Sequence, residues 1–268
     1  MVILSGNGPT SVVNRRRESA GQPRLLFRRP VPFGPQLHSP RRINALLAGL
    51  PSRNDYLEIG VFTGFTLQDV RAPHRVGVDP DPRFDITDLP RGVEFHTLES
   101  DSYFATLDPA ARFDVAFIDG LHTYEQTYRD LINALAHVRD GVILLDDTVP
   151  DDELTAIPDQ AESLAVRAAA GITGLRWHGD VWKVVVAISR LHPELSYRTI
   201  TNRGNGQTVV WRTSPDEPVA TPSPAELEAI GALTYAEVLA DGLPDWFNPM
   251  DEDAAIRAAL AGTSGRSR

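Results

Sequence analysis

Residues 113–131 read FDVAFIDGLHTYEQTYRDL. The apolar run Val115–Ile118 stops abruptly at Asp119; Gly120 and His122 follow. From Thr123 to Val138 the residues Tyr124, Tyr128, Leu131 and Leu135 recur along one helical face. An uninterrupted short apolar run suits a strand buried on both faces. The stretch therefore predicts a buried strand that delivers a carboxylate and an imidazole to the rim of a sheet, then a helix. A second run, Val142–Leu145, ends in Asp146 and Asp147. Two neighbouring strand ends thus gather three carboxylates and one histidine. Like charges held close are unfavourable without a counter-ion.

Working outward, strands and helices alternate. Tyr56–Val61, Arg75–Val78, Val93–Leu98, Asp114–Ile118 and Val142–Leu145 read as strands, with a helix opening at Ser39-Pro40 and a short one near Thr66–Val70. Gln160–Ala170 and Val181–Leu191 read as helices. Leu195–Thr201 and Gln207–Arg212 flank Asn202-Arg-Gly-Asn-Gly206, a hairpin signal that makes one of the last two strands antiparallel. The expected fold class is α/β: a mainly parallel sheet with helices on both faces and a terminal antiparallel hairpin strand. Residues 1–40 form an Arg-rich arm, 41–213 the main domain, and 214–268 a linker followed by an acidic helical extension.

The 268 residues carry a net charge of −10 and no cysteine, which excludes disulfides, thiolate metal sites and a cysteine nucleophile. No apolar run approaches the roughly 20 residues that span a bilayer, and the first residues are not ordered as a signal peptide. The expectation is a cytoplasmic protein with no membrane partner. Charge is uneven: residues 1–42 hold eight arginines and one acid, Glu18, whereas 214–268 hold ten acids and three arginines. An arginine arm suits nucleic acid, but this one lacks the interleaved aromatics on which bases stack. It is read as solvated, or docked on acidic surface of its own fold or of another subunit in a homo-oligomer, with no nucleic-acid partner expected.

Tyr56–Gly64, YLEIGVFTG, is a strand followed by a glycine loop; Gly60 and Gly64 are placed to let backbone approach a ligand. The fingerprint G-x-G-x-x-G is absent. Asp79, after the second strand, stands where an acid takes both hydroxyls of a ribose. Glu58-x-Gly60-x-x-x-Gly64, Asp79 and the order of elements from Arg41 to Arg212 resemble the class I S-adenosylmethionine-dependent methyltransferases. The resemblance implies a Rossmann-like, seven-stranded sheet. It also implies that Glu58, Gly60 and Gly64 surround the methionine part of S-adenosyl-L-methionine and that Asp79 holds its ribose. Glu99-Ser100-Asp101-Ser102 then falls where the family contacts adenine, so Ser100 and Asp101 join the cofactor set, as does Asp119.

Asp119, Asp146 and Asp147 offer the hard oxygen donors that Mg²⁺ or another hard divalent cation prefers; the bland alternative is that Asp119 and Asp147 cap the segments after them. Thr123 and Gln126 read as a capping box. That places His122 at the positive end of a helix dipole, which lowers its pKa and keeps the imidazole neutral. The pattern I-D-G-x-H-x-Y, with D-D after the next strand, resembles the metal-dependent O-methyltransferases that modify sugars of macrolides and related natural products. That likeness implies Asp119, Asp146 and Asp147 as metal ligands, His122 as catalytic base, and a small-molecule hydroxyl acceptor. The catechol group carries lysine at the His122 position, so this chain departs from it. Rival readings are a nicotinamide dehydrogenase, a nucleic-acid or other N-methyltransferase using the basic arm, and a non-catalytic cofactor-binding module.

Overall fold

The computed structural model describes residues 38–264 other than 53, 139 and 215. The Arg-rich arm expected over 1–40 lies outside these, apart from His38, Ser39 and Pro40. Those three open helix α1, His38–Gly49.

The order of elements follows the apolar runs: β1 Asp55–Ile59, α2 Phe65–Asp69, β2 His74–Val78, β3 Val93–His96, α3 Ser100–Thr106, β4 Val115–Ile118, α4 Tyr124–His137, β5 Val142–Val149, α5 Gln160–Ala169, α6 Trp182–Leu191, β6 Leu195–Ile200 and β7 Gly206–Arg212. The extension adds α7 Pro224–Gly231, α8 Tyr235–Val238, a single 3₁₀ turn at Asp245–Phe247, β8 Pro249–Met250 and α9 Glu252–Ser264. One sheet runs β3-β2-β1-β4-β5-β7-β6-β8. From β3 to β5 every pairing is parallel, and β7 alone runs antiparallel to its neighbours β5 and β6. The sheet has eight strands rather than the seven expected, because Pro249–Met250 adds a short parallel strand to the edge at Thr199 and Ile200.

Period-2 burial on these strands builds two cores. Leu57, Ile59, Ala116, Ile118, Ile143 and Leu145 face α4 and α6; Tyr56, Val115, Phe117 and Leu144 face α1, α2 and α9. The extension belongs to both cores. Phe247 is fully buried in the first, while Ala255, Ile256 and Ala259 pack in the second. Burying one such phenylalanine stabilises by roughly 1.5–3 kcal/mol, and the Tyr197 hydroxyl donates to the Trp246 carbonyl beside it. These aromatics fasten the extension to the sheet and do not cover the cavity described below.

Strand order reverses between β1 and β4, since β1 pairs with β2 on one side and β4 on the other. In open parallel sheets the crevice for a ligand lies outside the carboxyl ends of the strands at such a switch point. No helix among the described residues is long and apolar enough to cross a membrane.

Candidate active site

A cavity of about 810 Å³ opens at that switch point. Its floor is made by the carboxyl ends of β1, β2, β4 and β5: Gly60, Asp79, Asp119, Gly120, His122, Asp146 and Asp147 all line it.

Gly60 has φ +83°, and a Cβ there would lie 2.0 Å from the Asp119 carbonyl oxygen. The glycine is required because the ends of β1 and β4 touch through their backbones. Gly60 also lines the cavity. Gly64, φ +78°, opens α2, where a Cβ would crowd Gln68 and Phe84, and it does not line the cavity. Glu58 does not line it either. The Glu58 carboxyl is buried under the loop and accepts from the Tyr56 hydroxyl at 2.6 Å. Burial above all pushes it well above the usual carboxylate range. Asp79 stands at the cavity wall. Its Oδ2 accepts from the backbone N–H of Val61 and Phe62 at 2.9 and 2.7 Å, and its Oδ1 from that of Asp81 at 2.7 Å.

Of the expected adenine-contacting residues, Glu99 and Ser100 line the cavity and Asp101 does not. They form the cap and first residues of α3, a helix hidden in the sequence by its polar composition. Gln126 reaches across from α4 to Ser100 Oγ at 3.0 Å and to Asp130 at 3.1 Å. The capping box predicted for Thr123 and Gln126 is therefore absent, because Gln126 is used elsewhere. The Tyr124 N–H instead donates to Asp180 Oδ1 at 2.8 Å. Asp130, also at the wall, is raised to about 6 by burial.

On the β4–β5 side, single ligand atoms of Asp119, His122 and Asp147 lie within 4.8 Å of one another. His122 Nδ1 is 3.0 Å from Asp147 Oδ2, and Nε2 is 3.4 Å from Asp119 Oδ1. The Trp177 indole stacks on the imidazole, centroids 4.8 Å apart at 11°, and its carbonyl lies 3.3 Å from Nδ1. Asp146 lies beneath, accepting the Asp147 N–H at 2.8 Å. The pairing of β5 with β7 shifts register between Leu145 and Val149. Asp147 there has φ +55°, a left-handed conformation that aspartate tolerates better than most residues. An irregularity of this kind re-aims side chains that a regular strand would alternate between faces, and here two consecutive aspartates reach one cavity. Asn205, from the β6–β7 loop, donates to Asp147 Oδ1 at 3.1 Å. Buried Arg42 holds that loop by donating to the carbonyls of Asn202, Arg203 and Asn205.

Electrostatics follow from this crowding. Burial, then the charge of Asp119, raises Asp146 to about 7. Burial, then Asp146, pushes Asp147 well above the usual carboxylate range. Burial alone would lower His122, but the hydrogen bond it donates to Asp119 and the charge of Asp147 raise it to about 9. The sequence reading of a lowered pKa is thus corrected: nearby carboxylates outweigh the helix dipole. The cluster borrows a proton on His122 as its counter-ion. Hard oxygen donors short of positive charge are what a divalent cation satisfies, so the donor set fits one.

The comparisons with known proteins bear on this site. Residues 57–148 match the model of a family described as a methyltransferase domain. Over these residues the chain is similar to that family. The matched segment runs from β1 to the paired aspartates of β5, so it contains the cavity floor. Comparison with curated proteins gives no match. Among solved structures, an O-methyltransferase of Bacillus cereus in complex with SAH is 16% identical, with 72% of this chain and 84% of that chain covered and a TM-score of 0.46. TomG of Streptomyces achromogenes, an O-methyltransferase of tomaymycin synthesis in complex with SAM, is 20% identical, covering 64% and 78%, with a TM-score of 0.40. At these values neither neighbour carries weight about the reaction, which rests on the matched domain and on its residues.

Proposed function

We propose that this methyltransferase domain moves the methyl group of S-adenosyl-L-methionine to a hydroxyl oxygen of a small molecule, assisted by a divalent cation. The observation that carries this is the meeting of Asp119, His122 and Asp147 within 4.8 Å on the cavity wall. Gly60 and Asp79 line the adjoining wall, on the side of the matched domain's first loop. The donor would lie along that side. The cation would be held by Asp119 and Asp147, with Asp146 behind them; when bound it lowers the pKa of a nearby hydroxyl.

His122 serves as general base. Its Nδ1 faces Asp147 and the Trp177 carbonyl. A proton kept at Nδ1 leaves the Nε2 lone pair to accept the hydroxyl proton. An O–CH₃ bond forms as the S–CH₃ bond breaks, and the sulfonium becomes a neutral thioether. With a pKa of about 9 the imidazole arrives protonated and cannot accept. The base role therefore requires that the surrounding carboxylate charge be offset first. Alignment of oxygen, methyl carbon and sulfur supplies most of the acceleration.

Among the described residues, six carboxylates line the cavity (Asp79, Glu99, Asp119, Asp130, Asp146, Asp147) and no lysine or arginine does. These carboxylates offer acceptors to hydroxyl groups, which favours an uncharged polyol or sugar of a natural product over nucleic acid. The test is methyl transfer from labelled S-adenosyl-L-methionine to a panel of hydroxylated acceptors, with Mg²⁺ and with chelator. Transfer that chelator abolishes, while S-adenosylhomocysteine still binds, is expected. Equal transfer in both conditions removes the cation, and transfer to nucleic acid alone removes the small-molecule acceptor.

A further inference from the structure

The four residues Trp177-His178-Gly179-Asp180 touch the His122 end of the site one after another. The Trp177 ring covers the His122 imidazole. His178 Nε2 lies 3.6 Å from Asp147 Oδ1. Gly179, φ +62°, sits so close that a Cβ would fall 1.7 Å from the His122 carbonyl oxygen. Asp180 accepts the N–H of Tyr124, the first residue of α4 and the second after His122.

Asp180 is itself held. Lys183 Nζ is 2.9 Å from Asp180 Oδ2 and donates to the Gly231 carbonyl at 2.7 Å. Both side chains are buried. A buried ion pair gives little net stability against its desolvation cost, yet removing one partner strands the other charge and is strongly destabilising. The ammonium is the only lysine in the chain, and it joins the end of α7, in the extension, to the helix start beside His122. Tyr124 makes a second link, its hydroxyl donating to the Leu227 carbonyl at 3.4 Å.

We infer that Asp180 is a positioning residue for His122, and that Lys183 couples it to the extension at Gly231. This rests on the reading of His122 as base for its catalytic meaning, but the positioning itself does not require that reading. Without Asp180 the first N–H of α4 loses its acceptor, and the segment that carries His122 loses its anchor. The imidazole then leaves the Trp177 face.

The test uses the whole 268-residue chain at one fixed pH. The His122 imidazole proton signals, assigned by their loss in His122→Gln, should be displaced upfield by the stacked indole. In Asp180→Ala that displacement should fall by more than half. The kcat for hydroxyl methylation should drop roughly 10- to 100-fold, with affinity for S-adenosylhomocysteine unchanged within about twofold. Lys183→Met alone should also disturb the signal, because it leaves a buried unpaired carboxylate. Asp180→Asn combined with Lys183→Met should restore it, since asparagine caps a helix as well as aspartate does and no charge is stranded. A purely structural pair would not give this recovery in the His122 signal. An unshifted His122 signal in Asp180→Ala overturns the inference; if that variant does not fold, an unshifted signal in Lys183→Met does the same. A collapsed signal with no methyl transfer by the wild type to any hydroxyl keeps the positioning and ends the proposed activity.

Discussion

The two halves of the sheet's carboxyl edge treat their acids in opposite ways. On the β1–β2 side, Asp79 receives three backbone N–H groups, so its charge is spread over fixed dipoles. On the β4–β5 side, three aspartates share few donors, and burial with mutual repulsion raises Asp146 and Asp147. The first acid is satisfied by the fold; the second group is left short of positive charge. The difference teaches where the protein keeps rigid structure and where it keeps chemistry.

The sharpest way to break this contrast is to remove the base. His122→Ala should lower turnover by roughly 10²–10⁴-fold, while calorimetry finds S-adenosylhomocysteine bound within about twofold of wild type. Undiminished turnover would take His122 out of the mechanism. Next, Asp147→Ala should cost metal affinity steeply, read by titration with Mn²⁺, whereas Asp79→Asn should leave metal affinity alone. Equal losses in the two variants would erase the distinction between the halves.

A third measurement uses pH. The folded pKa of His122, about 9, exceeds its ordinary 6.5. Its contribution is fully present below 6.5 and is lost as pH rises through 9. Asp146, raised from 3.8 to about 7, acts in the same direction, because the folded chain holds that proton more tightly. The cation-free chain should therefore melt at a lower temperature at pH 9 than at pH 6. Saturating Mg²⁺ should raise the melting point most at the alkaline end, where protons no longer compete for the carboxylates. A cation-free melting point that climbs with pH would contradict the crowding described here. The smallest effect is expected at Asp79 itself: Asp79→Asn should weaken donor affinity by about tenfold, roughly 1.4 kcal/mol.

Much of this site was written locally. Val115–Ile118 before Asp119 and Val142–Leu145 before Asp146 mark buried strands that end in acids, and a parallel sheet brings such ends together. Other features depended on partners far along the chain. Glu58 is the exception, met in the interior by Tyr56 only two residues away. Gly60 answers to Asp119, and the N–H of Tyr124 to Asp180, 56 residues on. Gln126 matched a local capping pattern, yet Ser100 and Asp130 claimed it. The helix α3 escaped notice because Ser100–Thr106 has little apolar rhythm, and β8 because two residues carry none. Asn205 and Trp177 gave no signal at all, for each comes from a loop whose place is set by tertiary packing.

Pro249 and Met250 carry a further lesson. A sheet margin with open amides invites other chains to pair with it, and a proline beside it blunts that invitation. By laying β8 along β6, the extension shields this border of the molecule. A version trimmed after residue 213 would thus uncover a strand ready for unwanted association, and its insolubility would say nothing about catalysis.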